Sequence, residues 1–325
     1  MSTSRLILII VTLVIIFGAL TFIIQNTSST KPSEKLFVVT TLFPLYDMAR
    51  EIGGTYTETT LLLPPGMSPH NYEPTPSDIM AITHADVFIY TGPFMEPWVA
   101  DLLAGIDTSH MTIVNASTHA DIHHEDGEDE QAHESEEAHE AEEHDHDHEA
   151  GDPHIWLSPH NAHVIANDIG TALVEALPSH SVDIANARDT YLAKLDAVFA
   201  AYETGLSSCD TRTIIYGGHY AFGYIAEAFD LHYVAAQGYS PDAEPSASAL
   251  ATLSDIVKKE NATAIFTDAL ESPAIADTLA RETGATVHML NPAGNIGKDA
   301  RDNGVSFITI LETNLATLRA GLRCK

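Results

Sequence analysis

From residue 35 onward the chain alternates short apolar runs rich in β-formers with longer stretches in which apolar positions recur at helical spacing. The runs KLFVVTT (Lys35–Thr41), TETTLLL (57–63), DVFIYTG (86–92) and MTIVNAS (111–117) read as strands. Between the first two, YDMAREIGG reads as a helix stopped by glycine. The stretch TPSDIMAIT (75–83) carries its own start signal. Thr75 suits the N-cap, Pro76 the first helical position, and Asp78 the first turn, where the helix dipole favours negative charge. Further on, SPHNAHVIANDIGTALVEALP (158–178) reads as an amphipathic helix ended by Pro178. SVDIANARDTYLAKLDAVFAAYETGLSS (181–208) reads as one long helix of about seven turns. A second strand series follows, TRTIIYGG, LHYVAAQ, TAIFTD and ATVHML, again with helices between.

Strands alternating with helices predict parallel β-α units. Two such sets on either side of one long helix predict an α/β protein of two parallel-sheet lobes with similar topology. Residues 35–180 would form the first lobe, 181–208 the linking helix and 209–325 the second lobe. No residue-level repeat relates the two sets.

Two stretches break the alternation. Leu6 to Ile24 is an uninterrupted, mostly apolar run behind Arg5. At about 1.5 Å per residue it can cross a hydrocarbon layer of about 30 Å. Its exit, TFIIQNTSST, lacks a small-residue cleavage site, and no cysteine follows to take a lipid. The favoured reading of residues 1–34 is an uncleaved anchor with Arg5 on the cytoplasmic side, followed by a tether; a cleaved signal is the alternative. Both place the remainder outside the cytoplasm. The second break, residues 119–151, is almost wholly His, Asp, Glu and Ala, with neither a two-residue nor a 3.6-residue apolar period. It cannot bury enough surface to offset its ordering entropy, which predicts an unfolded loop inserted in the first lobe.

Charge narrows the partners. Asp and Glu number 46 against 15 Lys and Arg, for a net charge of −31, and the acidic loop carries roughly half of that excess. Nucleic acid and anionic membrane surfaces are disfavoured as partners, and cations are favoured. Histidine is abundant at 18 residues, whereas the two cysteines, Cys209 and Cys324, are too few for a cysteine-rich zinc module. They are free or paired, with pairing favoured in an oxidising compartment.

Three histidines stand in unusual surroundings, His70 and His219 where a strand run gives way to a turn and a helix, and His154 between the acidic loop and a helix, where it joins them if the loop returns nearby. His70 lies in LLLPPGMSPHNYEPTPSD, His154 in GDPHIWLSPHNA and His219 in IIYGGHYAFGYIAEAF. In parallel α/β sheets the crevice at the carboxyl ends of the strands is the usual ligand site. Neutral imidazoles suit Zn²⁺ at bonds of about 2.0–2.1 Å. For each histidine taken singly, a capping or surface role is the ordinary alternative. The loop histidines His123, His124, His133, His139, His144, His146 and His148 are interleaved with carboxylates and read as weak, exchangeable metal contacts. Each binding event there also orders chain, which lowers affinity relative to a preformed site. His84 reads as a helix C-terminal residue, His160 and His163 as helix-start residues, and His180, His232 and His288 as surface or strand-end residues. Trp98 and Trp156 read as packing residues, the latter also a shield for a metal site. Glu271 reads as a helix-start residue, with hydrogen bonding near a site as the alternative.

PPGMSPHNYEPTPSDI, DPHIWLSPHNA and GHYAFGYIAEAFDL, followed by EPSASALATLSDIVKKENATAIFTDALESP, resemble in order the ligand motifs of the ZnuA-like, zinc-binding group of cluster A-I solute-binding proteins. The resemblance runs from about Lys35 to the C-terminus, apart from the acidic loop. It implies two α/β lobes joined by a rigid long helix, with Zn²⁺ held between them by His70, His154 and His219. It also implies a monomeric binding protein without bond chemistry, which delivers zinc to an ABC importer permease and its ATPase. The chain departs from the family pattern at Tyr220, where Asp is usual, at Pro69, where some members have Glu, and in LNPAG, where Asn291 stands in place of a ligand Asp. Asn291, a water or a loop residue is then the candidate for the fourth position. Without the hard carboxylate, Zn²⁺ is favoured over Mn²⁺. Two other functions stay open at this point, a three-histidine zinc hydrolase and a metal-buffering or adhesion protein. The first lacks a His-Glu-x-x-His stretch.

Overall fold

Every strand run named above forms a strand, trimmed by one or more residues at its ends. The structure, a computed structural model, describes residues 35–124, 151–241 and 245–325. Strands β1 (Leu36–Thr40), β2 (Thr57–Leu61), β3 (Val87–Tyr90) and β4 (Thr112–Asn115) form an all-parallel sheet in the order β2-β1-β3-β4. Strands β5 (Thr213–Tyr216), β6 (His232–Ala235), β7 (Ala264–Thr267) and β8 (Thr286–Met289) form a second parallel sheet in the order β6-β5-β7-β8. The same permutation recurs although no sequence repeat announces it. Central strands covered on both faces need continuous apolar runs. VFIY of β3, TIIY of β5 and AIFT of β7 are buried almost throughout, while the edge strand β2, TETTL, is buried only at its ends.

Helices α1 (Phe43–Gly53), α2 (Pro76–Thr83), α3 (Trp98–Gly105) and α4 (Pro159–Ala176) belong to the first lobe. α2 begins with the predicted cap: Thr75 Oγ1 accepts the Asp78 N–H, and Asp78 Oδ2 accepts the Thr75 N–H at 2.8 Å. The long helix α5 (Ser181–Leu206) has 26 residues, about 39 Å of helix. It buries Ile184, Tyr191, Leu195, Val198, Phe199, Tyr202 and Leu206 against α1, α4 and the final helix. The second lobe adds α6 (Gly223–Ala228), α7 (Ala247–Lys259), α8 (Ala274–Thr283), α9 (Lys298–Asp302) and α10 (Phe307–Gly321). One apolar core runs through both lobes and α5, and a smaller cluster around Ile215, Leu253, Ile265 and Leu279 fills the space under α7 and α8.

Polar fastenings cross between the lobes. Asp47 of α1 accepts the N–H of Phe307, the first residue of α10, at 2.8 Å, and is held on its other oxygen by Arg50. The Asn295 carboxamide donates to the carbonyls of Pro64 (2.7 Å) and Met67 (2.8 Å). The Trp156 indole N–H donates to the carbonyl of Pro292 at 2.8 Å. The two cysteines form a disulfide, Cys209–Cys324, tying the residues just after α5 to those just after α10.

Residues 119–124, expected inside an unfolded loop, are built into the first lobe instead. The Asn161 side chain receives the Asp121 N–H and donates to the Asp121 carbonyl, each at 2.8 Å. Asp152 N–H donates to the His123 carbonyl, and His124 bridges to Gly151, so the two ends of the insertion are zipped together. The anchor segment 6–24 and the loop histidines His133, His139, His144, His146 and His148 lie outside the described residues. Among the described residues no helix is long and apolar enough to cross a membrane.

One buried carboxyl gives the fold a pH signature. Glu96 is enclosed at the carboxyl end of β3, where it accepts the Thr41 hydroxyl (2.6 Å) and the backbone N–H groups of Thr91 and Gly92. Burial outweighs these bonds and pushes its pKa up to about 7. The unfolded chain releases this proton near pH 4.3. The folded state keeps it to about pH 7, so the contribution is fully present below about pH 4 and lost as pH rises through 7. In urea unfolding of the metal-free protein, Glu96→Ala is therefore expected to destabilise more at pH 5 than at pH 8. An equal loss at both would contradict this assignment.

Candidate metal centre

Each of the three histidines follows a strand of one or other sheet. His70 sits in a one-turn 3-10 segment, Pro69–Asn71, beyond β2. The chain reverses before it at Gly66, whose φ of 80° favours glycine, and the two Asn295 bonds clamp this turn from the second lobe. His154 comes after the insertion that follows β4 and leads into a 3-10 turn, Ile155–Leu157. His219 follows β5 through Gly217 and Gly218 and precedes α6. The lobes thus contribute two histidines and one.

The rings meet through their Nε2 atoms. His154 Nε2 lies 3.2 Å from that of His70 and 3.1 Å from that of His219. All three ligand atoms fall within 4.8 Å of one another. A tetrahedral centre with bonds of about 2.0–2.1 Å has edges of about 3.3–3.4 Å, so the spacing already fits one ion. His154 and His219 are buried and His70 is half-buried. The cavity they line is about 130 Å³ and otherwise walled largely by Pro69, Trp156, Pro241, Leu270 and Pro292. Larger clefts of about 450 and 500 Å³ lie along α5 and beside α8, but among the described residues neither is lined by a histidine. Ligand density, not volume, marks a cation site.

Carboxylates stand behind two of the rings. Asp152 Oδ1 accepts both the backbone N–H of His154 (3.0 Å) and its Nδ1 proton (2.8 Å). Glu271 Oε1 accepts from His219 Nδ1. With Nδ1 the donor in both rings, each neutral imidazole presents an Nε2 lone pair. Burial, helped by the nearby His219, holds the His154 pKa well below the ordinary imidazole value, so this ring is neutral at neutral pH. Two lone pairs facing each other at 3.1 Å repel unless a cation lies between them. Burial also raises Asp152 to about 7 and Asp268, which lines the cavity, to about 6.

Other expected residues lie elsewhere. The Asn291 Oδ1 turns back to accept the Ala293 N–H at 2.7 Å, and its backbone is held by Asn314 on both sides. It does not line the cavity; Asn295, four residues on, does. His123 stacks on Tyr224 at 4.0 Å and pairs with Glu227 at 2.8 Å, while His124 meets the edge of Phe94. His84 caps α2, and His160 and His163 lie at the start of α4. Trp156 is fully buried, edge-on to His154, and walls the site. Glu271 precedes α8, yet its carboxylate faces His219. The Asp152 role was available from the Asp-x-His spacing, which places a carboxylate behind the ring. Nothing local in the sequence joins Glu271 to His219.

Comparison with known proteins identifies the family. The family described as zinc-uptake complex component A, periplasmic (ZnuA), matches residues 38–321. The high-affinity zinc uptake system protein ZnuA of Bacillus subtilis is 38% identical over 305 residues, covering 92% of this chain and 93% of that protein. The zinc-binding lipoprotein AdcA of Streptococcus pneumoniae is 33% identical over 304 residues; the match covers 92% of this chain but 58% of AdcA, so the chain spans little more than half of that relative. The crystal structure of the Zn(II)-bound ZnuA-like domain of AdcA superposes with a TM-score of 0.72 at 31% identity, covering 89% of this chain and 99% of that domain. The chain belongs to the ZnuA family of zinc-uptake components.

Proposed function

We propose that this protein captures Zn²⁺ outside the cytoplasm, holds it through the Nε2 atoms of His70, His154 and His219, and delivers it as a monomer to the permease of an ATP-driven importer. The observation that carries this reading is the pair of carboxylate-backed imidazoles whose Nε2 atoms face each other at 3.1 Å, with a third at 3.2 Å. Three nitrogen donors favour Zn²⁺ over Mn²⁺, which prefers oxygen. The fourth position is left to water or a small exogenous ligand. The carboxylates hydrogen-bonded at the site stand behind the rings, where they orient ligands rather than activate water. This suits a carrier better than a hydrolase. The acidic insertion is an accessory of weak, exchangeable contacts.

Calorimetric titration of the metal-free protein tests this. One tight Zn²⁺ site is expected, and it survives deletion of residues 125–149, while additional weak binding disappears with the deletion. The deletion begins at 125 because residues 119–124 are part of the lobe. Loss of the tight site together with the insertion would refute the ligand set.

A further inference from the structure

Gly217 and Gly218 precede His219, yet neither has a positive φ, so backbone conformation does not explain them. Space does. A Cβ at Gly217 would come within about 3.0 Å of the backbone of Ala276 in the first turn of α8. A Cβ at Gly218 would collide with Glu271 Oε2 and approach the Tyr216 ring at 2.8 Å. The two glycines therefore let the β7–α8 connection close onto the His219 segment. Its Glu271 carboxylate lies against that segment on both oxygens, Oε1 toward the imidazole and Oε2 over Gly218. In the first lobe the partner of His154 is local, two residues away. In the second it is carried in from 52 residues downstream.

We propose that Glu271 is the positioning residue of the second-lobe half of the zinc site, fixing the His219 tautomer and ring orientation so that Nε2 faces the metal, and that Gly218 is the space this requires. The proposal rests on His219 being a ligand. An anionic acceptor behind the ring also makes Nε2 a stronger donor. Outer partners of this kind change metal affinity by about 10–100-fold when removed.

The test uses the full chain with Glu271→Ala, Glu271→Gln, Gly218→Ala, the Gly218→Ala/Glu271→Ala double variant and His219→Ala. Zinc affinity is read by competition with a chromophoric chelator. The His219 tautomer is read from ¹⁵N-histidine spectra, with the His219 signal identified by its loss in His219→Ala. Glu271→Ala should weaken zinc binding by about 10–100-fold and lose the pure Nδ1–H tautomer. Glu271→Gln, which keeps an acceptor oxygen, should lose less. Gly218→Ala should weaken binding in the same direction, and the double variant should be no worse than Glu271→Ala alone. If Glu271→Ala binds zinc within about twofold of the parent with the tautomer unchanged, the proposal is overturned; a fall in metal-free thermal stability alone would then mark Glu271 as merely structural. Should Glu271→Ala fail to fold, Glu271→Gln and Gly218→Ala carry the decision, and two parent-like affinities overturn it. If His219→Ala itself binds zinc normally, the ligand assignment falls, and this proposal with it.

Discussion

Replacing His154 by alanine is expected to lower Zn²⁺ affinity by about 100–1000-fold. Binding at a four-ligand zinc site amounts to about 10–16 kcal/mol, or roughly 2.5–4 kcal/mol for each ligand, and each 1.4 kcal/mol is tenfold. His154 is the central member of the trio, with Nε2 3.2 Å from one neighbour and 3.1 Å from the other. Its removal also strands Asp152, whose buried Oδ2 already has no hydrogen-bond partner among the described residues. The metal-free variant should therefore lose stability as well, and the two effects need separate readouts. Chelator competition gives affinity, and urea unfolding in a chelating buffer gives stability. His70→Ala, at a half-buried ring, should show the affinity loss with a smaller stability loss. His123→Ala is the internal control. Its ring is stacked on Tyr224 and paired with Glu227, away from the trio, and the tight site should be unchanged. An affinity loss in His123→Ala matching that in His154→Ala would dismantle the assignment.

Breaking the disulfide should produce the largest loss of stability with no loss of zinc affinity. Cys209 and Cys324 are 115 residues apart, so the bridge closes nearly the whole second lobe into one loop. In the chain-entropy account a loop of that length stabilises by up to about 5 kcal/mol, and removal of such bridges usually costs about 2–4 kcal/mol. Cys324→Ser is expected to lower the unfolding free energy of the metal-free protein by that amount. The parent treated with dithiothreitol should match the variant. Zinc must be absent, because a tight ligand stabilises by mass action and would hide the loss. A change below about 0.5 kcal/mol would show that the reduced chain is already as constrained as the oxidised one.

The parts of the molecule legible in the sequence are those decided locally. β3, β5 and β7 announce themselves because a strand covered on both faces has to be apolar along its length. α2 announces itself through Thr75, Pro76 and Asp78, which satisfy its first backbone donors whatever packs nearby. His70 and His219 were visible as strand-to-helix junction residues and His154 as the residue between the acidic loop and a helix, but their convergence on one point is a tertiary fact, and the resemblance to a family carried that step. What escaped is decided across distance. Residues 119–124 share the composition of the acidic insertion, yet the Asn161 side chain captures the backbone at Asp121 and makes it part of the lobe. Asn291 is a local exception: it stands where the family pattern has a ligand Asp, but its carboxamide satisfies the N–H of Ala293, two residues on, in a turn where Ala293 has a φ of 64°. Glu271 sat ahead of a helix, where acidic residues are ordinary; hydrogen bonding near a site was its second reading, and only the fold names His219, 52 residues away, as the partner.

The bonds that cross between the lobes bear on how a load could be exchanged. Swinging the lobes apart would strip Asn295 from two carbonyls, Trp156 from Pro292 and Asp47 from the start of α10, and would open a shared apolar core. At about 1 kcal/mol for each hydrogen bond, before any cost of exposing the core, jaw-like opening is an expensive route for a small ion. Exchange then belongs to side chains and short turns around three imidazoles. A loaded molecule and an empty one would differ little in lobe orientation. A receiver that told them apart would have to feel the surface beside the histidines, where Leu270, a wall of their cavity, is exposed.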